Sequence, residues 1–184
     1  MKINIKGNIA NILTIIRILL IPVFTILYIK MPENNLYIII FIFAAFTDFL
    51  DGFLARLLKQ TSSFGSILDQ IADKLLIINA IILLINKYNT FYVIIPSMII
   101  ISREITISFI RQYSLEKENK KIKVIFLSKI KTTLQILSII ILFIFNHNQN
   151  MFQIGLLFFY ISTILSIISL YIYIKKTITL DRKK

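Results

Sequence analysis

Four aspartates stand in one otherwise strongly apolar stretch of the chain. Asp48 and Asp51 are three residues apart, and Asp69 and Asp73 are four residues apart. On a helix, each of these pairs lies on one face. Ionised side chains within membrane-spanning segments are costly and usually pair with other charges or bind ions. We therefore expect the four carboxylates to converge on a divalent cation, which would offset their mutual repulsion in a medium of low dielectric constant.

The donor atoms narrow the choice of cation. The chain has no cysteine and one histidine, which excludes thiolate sites and sites rich in imidazole. Oxygen ligands select hard cations, and a site that also admits phosphate oxygens favours Mg²⁺ or Mn²⁺, with Ca²⁺ left open. The alternative is that the aspartates pair with basic neighbours, of which Arg56 and Lys74 are close in sequence, or reach the membrane interface.

The composition indicates which elements position these residues. Apolar residues make up 57% of the chain and charged residues 16%, whereas a soluble domain is typically about one quarter charged. This excludes a soluble globular domain and a disordered chain. Six stretches approach the roughly 20 apolar residues that cross a bilayer, and they lack the alternation of a β-barrel. The sequence predicts an all-α bundle of six transmembrane helices in one domain, residues 1–184, with spans near 9–30, 35–57, 67–86, 91–112, 126–146 and 151–174.

The basic residues predict the orientation. Lys and Arg concentrate before the first span, at the breaks near residues 60 and 120, and in the C-terminal tail. The positive-inside rule then places both termini, these two breaks and the carboxylates on the cytoplasmic side. We expect a tight turn over residues 61–65, with Gly65 supplying the turn conformation, and a solvated break over 114–123. The net charge of +12 on so apolar a chain favours contact with anionic lipid rather than with nucleic acid.

The aspartates belong to a longer pattern. It reads Asp48-x2-Asp51-Gly52-x2-Ala55-Arg56-x8-Gly65-x3-Asp69-x3-Asp73. This pattern resembles the signature of the CDP-alcohol phosphatidyltransferase family at all eight specified positions. The stretch from Asn8 to Arg17 is also similar to the amino-terminal part of the family, although Ala10 stands where many relatives have proline. Ser66 and Gln70 replace a frequent lysine and proline, and these departures leave the carboxylates unchanged.

The resemblance implies transfer of a phosphatidyl group from CDP-diacylglycerol to an alcohol, with release of CMP, by a homodimer in the cytoplasmic membrane. It implies that Mg²⁺ or Mn²⁺ is held by Asp48, Asp51, Asp69 and Asp73, and that Asp73 is the general base for the acceptor hydroxyl. A carboxylate beside a cation stays ionised and can receive that proton. The residues implied to line the CDP-diacylglycerol site are Asn11, Gly52, Ala55, Arg56 and Gly65.

Two further segments resemble the branch of the family whose acceptor is glycerol 3-phosphate. They are Ser102–Ile105 with Arg111, and Ser128–Thr133 with Gln135. Basic residues suit a phosphate-bearing acceptor, and the candidates are Arg17, Lys59, Arg103, Arg111, Lys129 and Lys131. The alternative is that these are positive-inside anchors on lipid phosphates, or, for Arg103 and Glu104, that they pair with each other or with a neighbour.

Two other functions stay open from the sequence. One is the same reaction with another acceptor, such as inositol phosphate or serine. The other is a divalent-cation transporter in which the same acids form a permeation site. The second is weaker, because the carboxylates gather at one end of two helices and no matching acidic ring lies at the opposite face.

Overall fold

The computed structural model describes residues 9–58, 63–118, 126–145 and 148–181, and this part of the chain contains helices and no strands. The helices are α1 (Ile9–Lys30), α2 (Leu36–Leu58), α3 (Ser63–Tyr88), α4 (Phe91–Glu118), α5 (Phe126–Ile144) and α6 (Gln149–Asp181). Except at its ends, a helix satisfies its backbone polar groups within one segment, which is required where no water is present. The predicted all-α class is confirmed.

Four of the described helices are long and apolar enough to cross a membrane. The apolar stretches are Ile12–Lys30, Phe91–Gln112, Leu127–Ile144 and Gln149–Lys175, in α1, α4, α5 and α6. A shorter apolar stretch, Leu36–Thr47, lies in α2. Length and composition therefore support an integral membrane protein. Six as the number of spans stays a prediction.

Two of the predicted breaks overlap with helices, and the rest of each, residues 61–62 and 119–123, lies outside the described residues. Ser63 to Gly65 form the first turn of α3 and not a reversal, and α4 continues to Glu118 through part of the predicted break. Serine is favoured at helix starts, so α3 can begin at Ser63. No glycine or proline interrupts the sequence from Ser114 to Glu118, and nothing there stops α4. Gly65 is therefore a helical residue, and its predicted turn conformation is wrong.

The chain divides into two compact units, Met1–Leu83 and Leu84–Lys184. In the first unit, α1 packs against α2. Their interface contains an aromatic cluster, in which the ring centroids of Phe24 and Phe41 are 5.5 Å apart and those of Tyr28 and Tyr37 meet edge to face at 5.4 Å. Ring pairs at such distances add to the stabilisation from burial. This packing fixes the rotation of α1 about its axis within the first unit.

In the second unit, α6 packs against both α4 and α5. A Cβ atom added at Gly155 of α6 would lie 2.9 Å from Ile141 Cγ2 and 3.0 Å from Leu142 Cδ2, so α5 and α6 approach closely there. The same end of α5 is capped by α3, since Lys87 Nζ donates to the Phe143 carbonyl at 2.9 Å and the Tyr88 hydroxyl donates to the Leu142 carbonyl. These donors satisfy carbonyls that have no partner within α5.

The short connection between α3 and α4 is defined by its backbone. Asn89 has a φ of 43° and its amide donates to the Ile85 carbonyl at 2.8 Å. Asparagine is one of the few residues other than glycine that tolerates this left-handed conformation, which commonly ends a helix. The chain can then start α4 at once, with the Thr90 carbonyl accepting from the amides of Val93 and Ile94.

Candidate active site

A buried arginine joins α1 to the acidic face of α3. The Arg17 side chain is fully buried, and its Nη1 atom donates to Asp73 Oδ1 at 2.6 Å and to Asp69 Oδ1 at 3.2 Å. The two aspartates lie one helical turn apart on α3, and their side chains are 37% and 40% exposed. The predicted shared face of Asp69 and Asp73 is confirmed, and both carboxylates face α1.

The sequence left open the alternative that the aspartates pair with basic residues, and this part of it is observed. Both aspartates pair with a cation that comes from another helix, whereas the sequence pointed to the neighbours Arg56 and Lys74. Sequence reasoning placed Arg17 with the acceptor phosphate and missed this contact. The available signal was that an arginine inside an apolar span requires an anionic partner, and carboxylates are the anions that the chain itself supplies.

Asp69 and Asp73 supply two oxygen donors of the kind that a hard cation takes. Because one nitrogen atom contacts both Oδ1 atoms, these oxygens lie no farther apart than the sum of the two distances. The partial exposure of both side chains leaves them accessible to an incoming ion. Among the side chains described, no group of three or more His, Cys, Asp or Glu residues forms a metal site.

The other half of the predicted carboxylate set lies on α2. Asp48 and Asp51 are helical, as predicted, but their side chains lie outside the described part of the structure. The same holds for Gly52, Ala55 and Arg56 of α2 and for Asn11 of α1, whose backbones are helical. Lys59 lies outside the described residues. Gly65 is buried in the first turn of α3.

A second charged cluster lies within the second unit, between α4 and α5. Glu104 accepts a hydrogen bond from Arg103 Nη1 at 3.0 Å and is also contacted by Lys131 Nζ. The three residues are buried, with relative exposures of 9% for Glu104, 4% for Arg103 and 2% for Lys131. The two cations and one carboxylate leave this cluster, which we call the Glu104 cluster, with a formal charge of +1.

Helices α5 and α6 supply further contacts to the basic residues. Arg103 Nη2 donates to Ser169 Oγ at 2.7 Å and to Ser128 Oγ at 3.4 Å. Arg111 Nη2 donates to the Tyr173 hydroxyl at 2.9 Å, and its guanidinium also lies 5.2 Å from the centroid of that ring. The sequence candidates included no residue of the last span, so Ser169 and Tyr173 were missed. Serine and tyrosine are common in apolar helices, so their types gave no signal.

The structure separates two lysines that the sequence treated alike. Lys131 is buried in the Glu104 cluster, whereas Lys129 is exposed. Residues two apart on a helix point about 200° away from each other, so they cannot share a face. The position of Lys129 fits the role of an interfacial anchor, which the sequence gave as the alternative.

Several buried polar atoms of the second unit make no hydrogen bond to the described residues. They include Arg103 Nε, Gln135 Nε2 and Ser166 Oγ. Gln135 is 1% exposed and lies one turn beyond Lys131 on α5. Leaving such a group unsatisfied costs about 1–3 kcal/mol. The polar interior of this unit therefore has unused hydrogen-bonding capacity, which a polar ligand or water can take up.

Comparison with known proteins shows the family to which the chain belongs. The family model of the CDP-alcohol phosphatidyltransferases matches residues 7–172. The chain belongs to the CDP-alcohol phosphatidyltransferase family. This confirms the resemblance that the signature indicated, and the matched region contains all four aspartates and the Glu104 cluster.

Individual members of the family are similar over nearly the whole chain. Proteins named CDP-diacylglycerol–glycerol-3-phosphate 3-phosphatidyltransferase from Wigglesworthia glossinidia brevipalpis and Haemophilus influenzae are each 41% identical, and cover 91% and 92% of this chain and 94% and 93% of their own lengths. A protein of the same name from Blochmanniella floridana is 38% identical over 96% of this chain and 95% of its own length.

Proposed function

We propose that this chain transfers the phosphatidyl group of CDP-diacylglycerol to glycerol 3-phosphate, giving phosphatidylglycerophosphate and CMP. The observation that carries this proposal is the similarity to relatives that bear this activity in their names and align over more than nine tenths of both chains. The reaction belongs to phospholipid biosynthesis, and a chain with four helices suited to spanning a membrane is placed where its lipid substrate lies.

The chemistry that we assign to the protein is a displacement at phosphorus. An acceptor hydroxyl oxygen forms a bond to the phosphatidyl phosphorus, the bond from that phosphorus to the CMP oxygen breaks, and the hydroxyl proton moves to a base. We assign the base to Asp73. Its support is a carboxylate that is 40% exposed and held in place by Arg17 at 2.6 Å, since a base must be accessible to its substrate and fixed in position.

The metal ligands in this proposal are Asp48, Asp51, Asp69 and Asp73, which together take Mg²⁺ or Mn²⁺. All four belong to the signature, and Asp69 and Asp73 present carboxylate oxygens on one face of α3, which are donors of the kind that such a cation takes. When bound, the metal supplies positive charge that stabilises the attacked phosphate and the leaving CMP.

The CDP-diacylglycerol site is assigned to the small and polar residues of the signature and of α1: Asn11, Gly52, Ala55, Arg56 and Gly65. Glycine in a helix costs about 1 kcal/mol relative to alanine. Gly52 follows Asp51 directly, and this cost is explained if a ligand approaches the backbone closely there. Arg56 supplies a guanidinium, which suits bidentate contact with phosphate.

The acceptor phosphate is assigned first to Arg103 and Lys131. These side chains are almost fully buried, and both contact the carboxylate of Glu104, so they lie close to each other. Arginine and lysine are the usual protein partners of phosphate, which supports this assignment. The further sequence candidates for this role, Arg17, Lys59, Arg111 and Lys129, stay predictions.

The membrane setting in this proposal has six transmembrane helices, with both termini and the active site in the cytoplasm. It rests on the distribution of Lys and Arg along the sequence. We also propose a homodimer, on the resemblance to the family, and one integral-membrane domain over residues 1–184. Chemical cross-linking in the native membrane tests the dimer, and labelling of single introduced cysteines from either side tests the orientation, since the chain has no natural cysteine.

The decisive experiment is an acceptor panel with purified protein in detergent. CMP release from CDP-diacylglycerol is measured with Mg²⁺ or Mn²⁺ and with glycerol 3-phosphate, inositol phosphate or serine. We expect release only with glycerol 3-phosphate and only with a divalent cation. Release with serine or inositol phosphate, and none with glycerol 3-phosphate, would assign the chain another acceptor.

A further inference from the structure

Arg17 is the one residue that joins Asp69 and Asp73 among the contacts described above. Its guanidinium is fully buried, and a single nitrogen atom contacts an oxygen of each carboxylate. We infer that Arg17 is a positioning residue, which holds the two carboxylates side by side and tunes their affinity for the divalent cation. This inference rests on the proposed function, because it concerns the carboxylates assigned there to the metal and to the base.

The physical need for such a residue follows from the spacing of the acids. Two carboxylates four residues apart on a helix repel each other, and the repulsion grows in surroundings of low dielectric constant. The side chains of Asp69 and Asp73 would therefore turn away from each other without a cation between them. Arg17 lies on α1, whose packing against α2 fixes its direction, so its charge is delivered from a rigid element.

The same contact must weaken metal binding. A divalent ion bound by Asp69 and Asp73 lies a few ångströms from the Arg17 guanidinium, and like charges at such distances repel. Removal of the positive charge is therefore expected to tighten metal binding. It also removes the hydrogen bond that fixes Asp73, so turnover falls. A residue that matters only for folding would not change metal affinity and turnover in opposite directions.

The alternative role, direct contact with the acceptor phosphate, gives a different result. An arginine that binds the phosphate of glycerol 3-phosphate affects the KM for that substrate and leaves the affinity for the metal unchanged. The contacts of Arg17 with two carboxylates at 2.6 and 3.2 Å favour the positioning role.

The test compares Arg17→Met with the wild-type protein. The dissociation constant for Mn²⁺ is measured without substrate, from the electron paramagnetic resonance signal of the free ion. For Arg17→Met we expect Mn²⁺ to bind about tenfold more tightly, as the loss of one nearby positive charge predicts. We expect kcat for CMP release to fall at least about tenfold, in the range of a positioned acid–base contact. The KM for glycerol 3-phosphate is expected to stay within about twofold, since a positioning residue makes no contact with that substrate.

Lys30→Met is the matched control, because it removes the same charge from the exposed end of the same helix. It is expected to leave both the Mn²⁺ affinity and kcat unchanged. Unchanged or weaker Mn²⁺ binding by Arg17→Met would overturn the inference, and so would a raised KM for glycerol 3-phosphate with an unchanged Mn²⁺ affinity.

Arg17→Lys keeps the test decisive where Arg17→Met does not fold. Lysine retains the charge but lacks the planar fork of the guanidinium. For Arg17→Lys we expect the Mn²⁺ affinity and the KM for glycerol 3-phosphate of the wild-type protein. We expect its kcat to lie below that of the wild-type protein and above that of Arg17→Met. A raised KM with unchanged kcat would overturn the inference. Because the Mn²⁺ measurement needs no substrate, it decides the role of Arg17 even if the wild-type protein releases no CMP.

Discussion

Replacement of Glu104 by glutamine removes the negative charge of the Glu104 cluster and preserves the shape of the side chain. The carboxylate is 9% exposed and lies between Arg103 and Lys131, which are 4% and 2% exposed. Without it, two buried cations face each other. Breaking a buried ion pair by removing one partner costs about 3–5 kcal/mol, and we expect about 3 kcal/mol here because the amide oxygen still accepts a hydrogen bond.

Thermal unfolding in dodecyl maltoside measures this loss. For a chain of this size a change of 1 kcal/mol corresponds to about 2–4 °C in Tm, so Glu104→Gln is expected to lower Tm by roughly 6–12 °C. Far-UV circular dichroism is the suitable signal, since the chain has no tryptophan. An unchanged Tm would refute the view that the pairing of these charges stabilises the second unit.

A double-mutant cycle separates the charge effect from other losses. Lys131→Met in the Glu104→Gln background returns the cluster to its original charge of +1, so we expect the double variant to be more stable than Glu104→Gln alone. Interaction energies of contacting residues are about 0.5–3 kcal/mol. Strictly additive effects of the two substitutions would contradict the contact between Lys131 and Glu104.

Three further predictions concern single side chains. Asp73→Asn is expected to fold with wild-type circular dichroism but to release CMP about 10²–10⁴-fold more slowly, since it cannot accept the proton; wild-type turnover would remove the base assignment. Gly155→Ala is expected to lower the free energy of unfolding by about 1–3 kcal/mol, because the new methyl group meets Ile141 and Leu142, and an unchanged Tm would show that α5 and α6 can move apart there. Ser169→Ala removes the 2.7 Å hydrogen bond to Arg103, for which we expect a loss of about 1–3 kcal/mol by the same measurement; equal stability would mean that water replaces the hydroxyl.

The helices and the family could be predicted from the sequence because both depend on information that is local along the chain. A run of about 20 apolar residues becomes a helix in a membrane whatever its neighbours are, since the backbone must be satisfied within the segment. The spacing of Asp69 and Asp73 places them on one face of any helix that contains them. The signature likewise consists of fixed spacings, and the match to the family over residues 7–172 confirms it.

The ends of two helices were harder to predict. Ser63 and Gly65 were expected in a turn and lie in α3, and α4 runs on to Glu118. Serine and glycine are compatible with both a turn and the start of a helix, so residue types alone do not choose between them.

What only the tertiary structure decided is the choice of partner for each charge. Arg17 pairs with aspartates more than 50 positions away, and Lys131 but not Lys129 enters the Glu104 cluster. These contacts depend on how each helix is rotated about its axis. The sequence predicts that rotation poorly here, because a helix that faces lipid on one side and protein on the other is apolar all round. The sequence by itself thus determined the helices, the family and the spacing of the acids, whereas packing decided which cation lies beside Asp69, Asp73 and Glu104.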